Sequence, residues 1–200
     1  MCPGGFIVPA ATSSGEVVVN GMSPSRRNNK FANSGIVVEI NVDKDIPKYD
    51  QFGPLKGLEY QKSLERLAFT SGGRTQSAPA QRLVDFVDGK ISQDLNDSSY
   101  QPGLNSAPMH SLLPRLIGNR LRKGFHAFGK KMHGYYTNEA NIVGVESRTS
   151  SPVNIPRKEN LEHPEIKGLF PCGEGGGYAG GIVSAAMDGE RCAEAAIELL

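Results

Sequence analysis

The run Gly173-Glu174-Gly175-Gly176-Gly177-Tyr178-Ala179-Gly180-Gly181 constrains this chain more than any other segment. Glycine at such density disfavours helix and strand interiors and lets the backbone turn sharply or approach another group closely. Before it, Lys167-Gly168-Leu169-Phe170-Pro171-Cys172 is a short apolar run that reads as a buried strand, with Cys172 in its core. After it, from about Gly180, the pattern turns helical. Ile182, Ala186, Gly189, Ala193 and Ile197 lie on one face, and Ser184, Asp188, Arg191 and Glu198 on another; Cys192 is a helix-face residue. Strand, glycine turn and helix make an anion or dipole site, because N–H groups at a helix start are unpaired and the helix dipole adds partial positive charge there. Gly175 to Gly180 also satisfies G-x-G-x-x-G. A dinucleotide fold would need a following strand with an acid about 20 positions on. The 20 residues after Gly180 read as helix throughout, so that fingerprint fails in its context.

Upstream, Phe6-Ile7-Val8, Glu16-Val17-Val18-Val19 and Gly35-Ile36-Val37-Val38-Glu39-Ile40 are predicted strands, with a polar loop from Asn20 to Asn33. Leu58 to Phe69 is a predicted helix stopped by Gly72-Gly73, and Pro79 to Val87 a shorter one with proline near its first turn. Residues 89–108 are irregular. Leu113, Ile117, Leu121, Phe125, Phe128 and Met132 trace one continuous helix face over Ser111–Met132, opposite Arg115, Arg120, Arg122, Lys123, Lys130 and Lys131. That basic side reads as a solvated face rather than a ligand surface. Asn141 to Glu146 is a further strand. The sum is an α/β (α+β) chain.

Charge and cysteine usage narrow the class. Net charge is +1 and charged residues make up 22%, which gives no global field to attract nucleic acid. No apolar run approaches the roughly 20 residues of a membrane helix, and the start lacks a secretory leader. Cys2, Cys172 and Cys192 form neither a zinc pattern nor a disulfide framework, so the expectation is a cytoplasmic protein with no metal, no nucleic-acid partner and no membrane partner.

Gly168-Leu169-Phe170-Pro171-Cys172-Gly173-Glu174, followed by Gly180-Gly181-Ile182-Val183-Ser184-Ala185-Ala186-Met187-Asp188-Gly189, resembles the C-terminal flavin motif of two-domain FAD-dependent oxidoreductases. Met1 to Gly5, Asn20 to Ser23, Phe31 to Ser34, Pro79 to Arg82 and Glu146 to Pro152 together resemble an uncharacterised bacterial family of FAD-dependent, or NAD(FAD)-utilising, dehydrogenases. The resemblance implies a β-sheet substrate or cap domain over 1–145 and, over 146–200, the C-terminal strand–helix piece of a Rossmann-like FAD domain. It implies FAD as cofactor, with Glu174 on the ribityl chain after Gly173, and Gly180, Gly181 and Ile182 near the ring. Full-length members begin with a nucleotide-binding unit, so the resemblance leaves the ADP-half site outside this chain. A small-molecule substrate, NAD(P)H as second redox partner, and an N-terminal segment or protein partner complete the expected set.

Further candidates carry two readings each. Arg148 could bind an anionic substrate or reduced flavin, with Thr149 and Ser150 as donors; the alternative is a strand end and polar turn. Cys2 could bring a thiol to the flavin edge or be an ordinary buried cysteine. His126 or His133 could be a general acid, and Tyr135-Tyr136 could line a pocket, though packing explains each as well. The activity is accordingly read as flavin-dependent hydride transfer, with a non-catalytic ligand- or protein-binding module as the alternative.

Overall fold

The computed structural model describes residues 2–199, the side chain of Cys2 excepted, as a mixture of helices and small sheets, an α+β fold. The chain divides into two compact units: Met1–Asp45 with Lys62–Ser147, and Ile46–Gln61 with Arg148–Leu200.

In the first unit, β1 (Cys2–Pro3) pairs antiparallel with β4 (Ala32–Asn33), and β2 (Phe6–Pro9) with β3 (Val19–Met22). The strand expected over Glu16–Val19 begins only at its last residue. Val17 is fully buried but gives its N–H to the carbonyl of Glu65 instead of to a strand (3.1 Å). Gly35–Ile40 forms no strand despite its β-branched content. Such side chains favour a pleated surface only when a neighbouring strand supplies the ladder, and among the described residues none does.

The central strand is β5 (Ala78–Arg82), with β6 (Leu104–Ser106) parallel on one side and β7 (Asn141–Val143) antiparallel on the other. This corrects the helix expected over Pro79–Val87. Its first half is strand, and only α3 (Leu83–Asp88) is helical, ending at Gly89 with φ 73°. Pro79 cannot donate, but its carbonyl accepts from Gly144 N at 3.1 Å, and β7 pairs only from Ala80 onward. Gln81, with no exposed surface, accepts at Oε1 from the His110 N–H (3.2 Å); its Nε2 donates to the Lys90 carbonyl and meets His110 Nδ1 at 2.9 Å.

After a short α1 (Val42–Asp45), α2 (Lys56–Ser71) runs as expected into Gly72. The single helix expected over Ser111–Met132 is broken into α4 (Met109–Leu112) and α5 (Arg115–Lys131). Leu113, with ψ 144°, precedes Pro114, and a residue before proline is pushed out of the helical region. The stripe survives the break, because Leu113 and Phe125 bury in one cluster with Leu83, Phe86, Val87 and Met109. A second cluster joins Val17, Val19, Ala68, Ala78 and Tyr100. On the basic side of α5, Arg120 donates to the carbonyl of Glu39 (2.7 Å) and Arg122 to that of Val87 (2.8 Å).

The second unit has 3-10 turns over Pro47–Leu55, the first residues of α2, an irregular strap from Arg148, the glycine loop, and α6 (Ile182–Ile197). The strand expected over Lys167–Cys172 does not form. Pro171 has no N–H, and among the described residues no strand lies alongside to complete a ladder. The parallel crossover β5–α3–β6 carries Arg82-Leu83 at its first turn, with none of the glycines a phosphate cradle needs.

Candidate functional site

The glycine run folds as two overlapping turns. The Gly177 N–H donates to the Glu174 carbonyl (2.9 Å), and the Tyr178 N–H to that of Gly173 (3.0 Å). The strap from residue 151 to 157 holds it from outside: Ser151 Oγ donates to the Gly175 carbonyl (3.3 Å), Ile155 N to that of Gly176 (3.1 Å), and Asn154 Nδ2 to that of Gly177 (3.2 Å). Tyr178 OH closes the frame on the Ile155 carbonyl at 2.7 Å.

At the centre lies an ion pair that sequence reasoning missed. Arg157 meets Asp188 through both terminal nitrogens, at 2.7 and 3.0 Å, with side-chain exposures of 10% and 8%. The guanidinium also donates to the Pro171 carbonyl (3.0 Å) and to Cys192 Sγ (3.3 Å), and stacks on the Tyr178 ring with its carbon 3.6 Å from the centroid. Asp188 accepts a third bond from the Gly173 N–H at 2.8 Å. The Arg157 hydrogen bonds, then that backbone bond, lower the Asp188 carboxyl to about 2. Strap, loop and helix are thereby tied at one point. The sequence groups Asp188 with Ser184, Arg191 and Glu198 on one face of α6, apart from Ile182, Ala186, Gly189, Ala193 and Ile197. In the structure Ser184, Arg191 and Glu198 are exposed but Asp188 is buried with Cys192, whereas Ile182 is 93% and Ile197 67% exposed. The helix turns the side that completes the ion pair inward. Cys172, expected in a strand core, is exposed at the first turn of the loop.

The glycines fall into two kinds. Gly173 (φ 65°) and Gly177 (φ 84°) adopt left-handed conformations, and a Cβ on Gly177 would lie 2.7 Å from the Val153 carbonyl oxygen. The loop itself requires these two. Gly175 and Gly180 have ordinary φ, and a Cβ added to either would meet nothing within 4 Å; at Gly181 the nearest atom is Ser184 Oγ at 3.4 Å. The fold makes no demand for glycine at those three, and they leave open backbone beside the start of α6. That start has no side-chain cap, so its N–H groups and dipole face outward beside the exposed Ile182 and Val183. The result is an open, uncapped, glycine-bordered helix start, where an anionic or strongly dipolar group can approach the backbone.

Of the expected site residues, Gly173, Glu174, Gly180, Gly181 and Ile182 lie on this loop and the first turn of α6. Glu174 is exposed, and its carboxylate has no hydrogen bond among the described residues. Thr149 and Ser150 are exposed in the strap, where Ser151, rather than either of them, contacts the loop. Arg148 is exposed in the same unit. Cys2 belongs to the first unit, and its side chain lies outside the described residues. His126 lies against Tyr136, with centroids 5.4 Å apart, and Tyr135 packs edge-on against Phe128.

Comparison with known proteins adds what geometry does not. Residues 1–149 match the model of a family described as "FAD-dependent protein, C-terminal domain-like". The chain belongs to this family. The matched stretch of this FAD-dependent C-terminal-domain family takes in Arg148 and Thr149 and ends before the glycine loop. A protein of Clostridium beijerinckii, described as an uncharacterized protein, is 40% identical over 200 residues. That alignment covers 99% of this chain and 37% of the relative, so the chain spans little more than a third of the relative's length. Among the described residues no helix is long and apolar enough to cross a membrane.

Proposed function

We propose that this chain supplies the flavin-contacting, C-terminal part of an FAD-dependent oxidoreductase, a dehydrogenase that moves hydride between flavin and a small organic substrate. The observation that carries the reading is the open backbone at Gly175, Gly180 and Gly181 beside the uncapped start of α6. In this reading the exposed Glu174 accepts hydrogen bonds from the ribityl hydroxyls, at a point fixed by the left-handed turn at Gly173. Gly180 and Gly181 leave room for the ring, and Ile182 offers it an apolar contact. Thr149 and Ser150 are donors, and Arg148 holds an anionic group on substrate or cofactor. When bound, the flavin supplies reversible two-electron chemistry, with negative charge developing at its N1/O2 edge. The partial positive charge at the start of α6 favours that charge. Residues 1–145 act as the substrate domain and 146–200 complete the cofactor domain, with the ADP half held by a further nucleotide-binding segment and NAD(P)H as the second redox partner.

The test is the visible spectrum of the chain co-purified with the polypeptide corresponding to the remainder of the Clostridium relative. A retained flavin band is expected, with Glu174→Ala and Gly180→Val each weakening retention roughly tenfold or more, about 1.4 kcal/mol, at unchanged circular dichroism. A folded complex without flavin overturns the reading. The exposed Ile182, Val183, Met187 and Ile197 on α6 favour a second reading, a non-catalytic protein- or ligand-binding module. Under it the chain would form a flavin-free complex in size-exclusion chromatography.

A further inference from the structure

We propose that Cys172 and Cys192 are a redox-active pair that closes to a disulfide, stapling the glycine loop to the middle of α6. Both chain neighbours of Cys172 are already held against the helix face that carries Cys192. On one side the Pro171 carbonyl lies 3.8 Å from Cys192 Sγ and shares the Arg157 guanidinium with it. On the other, the Gly173 N–H is bonded to Asp188, one turn before Cys192 in α6. The backbone of Cys172 is thereby held on both sides against the turns of α6 that carry Asp188 and Cys192. The pair is separated by 20 positions in sequence and was unreadable there as a pair.

The two sulfurs differ in a way that assigns roles. Cys172 is exposed and Cys192 only 3% exposed. An oxidant in solution therefore meets Cys172 first. With a low-molecular-weight disulfide as oxidant, the Cys172 thiolate attacks one sulfur; the S–S bond of the oxidant breaks, a mixed disulfide forms, and one thiol leaves. The Cys192 thiol then loses its proton and attacks Cys172 Sγ. The second small thiol leaves and the Cys172–Cys192 bond remains. Overall, two protein thiols are oxidised and one disulfide molecule is reduced to two thiols. Cys192 needs no access to solvent, because its target is the neighbouring sulfur. Burial pushes the Cys192 thiol up, and the Arg157 guanidinium 3.3 Å away opposes this by stabilising the thiolate. The pair does not depend on what the glycine loop binds, and its test needs no flavin.

Reduced full-length chain, kept dilute, is exposed to oxidised glutathione, quenched with acid, alkylated and analysed by intact mass and tryptic mapping. Cleavage after Lys167 and Arg191 puts the two cysteines in separate peptides, 168–191 and 192–200. The expected product is lighter by two hydrogens, links those peptides and retains no glutathione on either. Cys192→Ser is expected to trap one stable glutathione on Cys172, and Cys172→Ser to slow oxidation of Cys192 roughly tenfold or more. The wild type decides the matter without either variant. Folded protein that keeps glutathione on Cys172 while Cys192 still alkylates after unfolding overturns the proposal, as does failure of either cysteine to react.

Discussion

The two units differ in what packs at their centres. In the first, Leu83, Phe86, Val87, Met109, Leu113 and Phe125 pack around α3, α4 and α5, and Val17, Val19, Ala68, Ala78 and Tyr100 form a second apolar cluster. In the second, the buried residues around the loop are Pro171, Gly173, Gly176, Asp188 and Cys192. Apolar packing is non-directional, so the first unit tolerates changes of shape that conserve volume. The second depends on an ion pair, its backbone hydrogen bonds and left-handed glycines, each of which requires a particular atom in a particular place. A loop held this way keeps a fixed backbone while leaving its outward side chains free to vary.

Breaking each unit at its centre should give the largest effects. Phe86→Ala is expected to cost about 4 kcal/mol in denaturant unfolding, the usual range for an aromatic lost from a core. Arg157→Ala should cost about 3 kcal/mol, because Asp188 stays buried without its partner. Hydrogen exchange at the amides of Gly173, Gly177 and Tyr178 should accelerate with it. Arg157→Met combined with Asp188→Leu should recover much of the loss; a combined variant no better than Arg157→Ala would mean that the charges themselves are needed.

Acid sharpens the contrast. The folded Asp188 carboxyl, at about 2, lies below its ordinary 3.8. Its contribution is therefore fully present above that ordinary value and is lost as pH falls through it toward about 2. Asp188→Asn should lower stability at neutral pH and flatten the acid limb in a pH series of thermal melts. Among the glycines, Gly177→Ala is expected to destabilise by about 2 kcal/mol through its left-handed backbone and the Val153 clash, whereas Gly180→Ala should stay within about 0.5 kcal/mol. Equal costs at the two positions would erase the distinction between glycines the loop needs and glycines it does not. One glycine change should be a gain: Gly189→Ala, inside α6 with open space around a Cβ, is expected to stabilise by up to about 1 kcal/mol in thermal melts.

Much of the fold was legible where local pattern and tertiary environment agree. Phe6–Val8, α2, most of α5 and α6 follow from periodicity and from glycine stops. Sequence reading failed where a partner decides. Pro79–Arg82 looks like a helix start, yet β6 and β7 make it a strand. Lys167–Cys172 looks like a strand but meets none among the described residues. Pro114 was a readable break inside the Ser111–Met132 stripe, and the regular spacing of apolar residues masked it. The site was half legible: glycine density marks the loop, but nothing local links Arg157 to an aspartate 31 residues away. The burial of Asp188 on α6 was hidden for the same reason, since its ion-pair partner lies far away in sequence.

The amide of Gln81 has a consequence for protons as well as for packing. Its oxygen is engaged by the His110 N–H, so its nitrogen must be the donor to the Lys90 carbonyl and to His110 Nδ1. In the neutral ring, then, Nδ1 is the acceptor and the hydrogen resides on Nε2. One uncharged strand residue thus sets the tautomer of an imidazole 29 positions downstream. A glutamate of the same shape, ionised, would set lone pair against lone pair at the Lys90 carbonyl and draw the imidazole hydrogen to Nδ1.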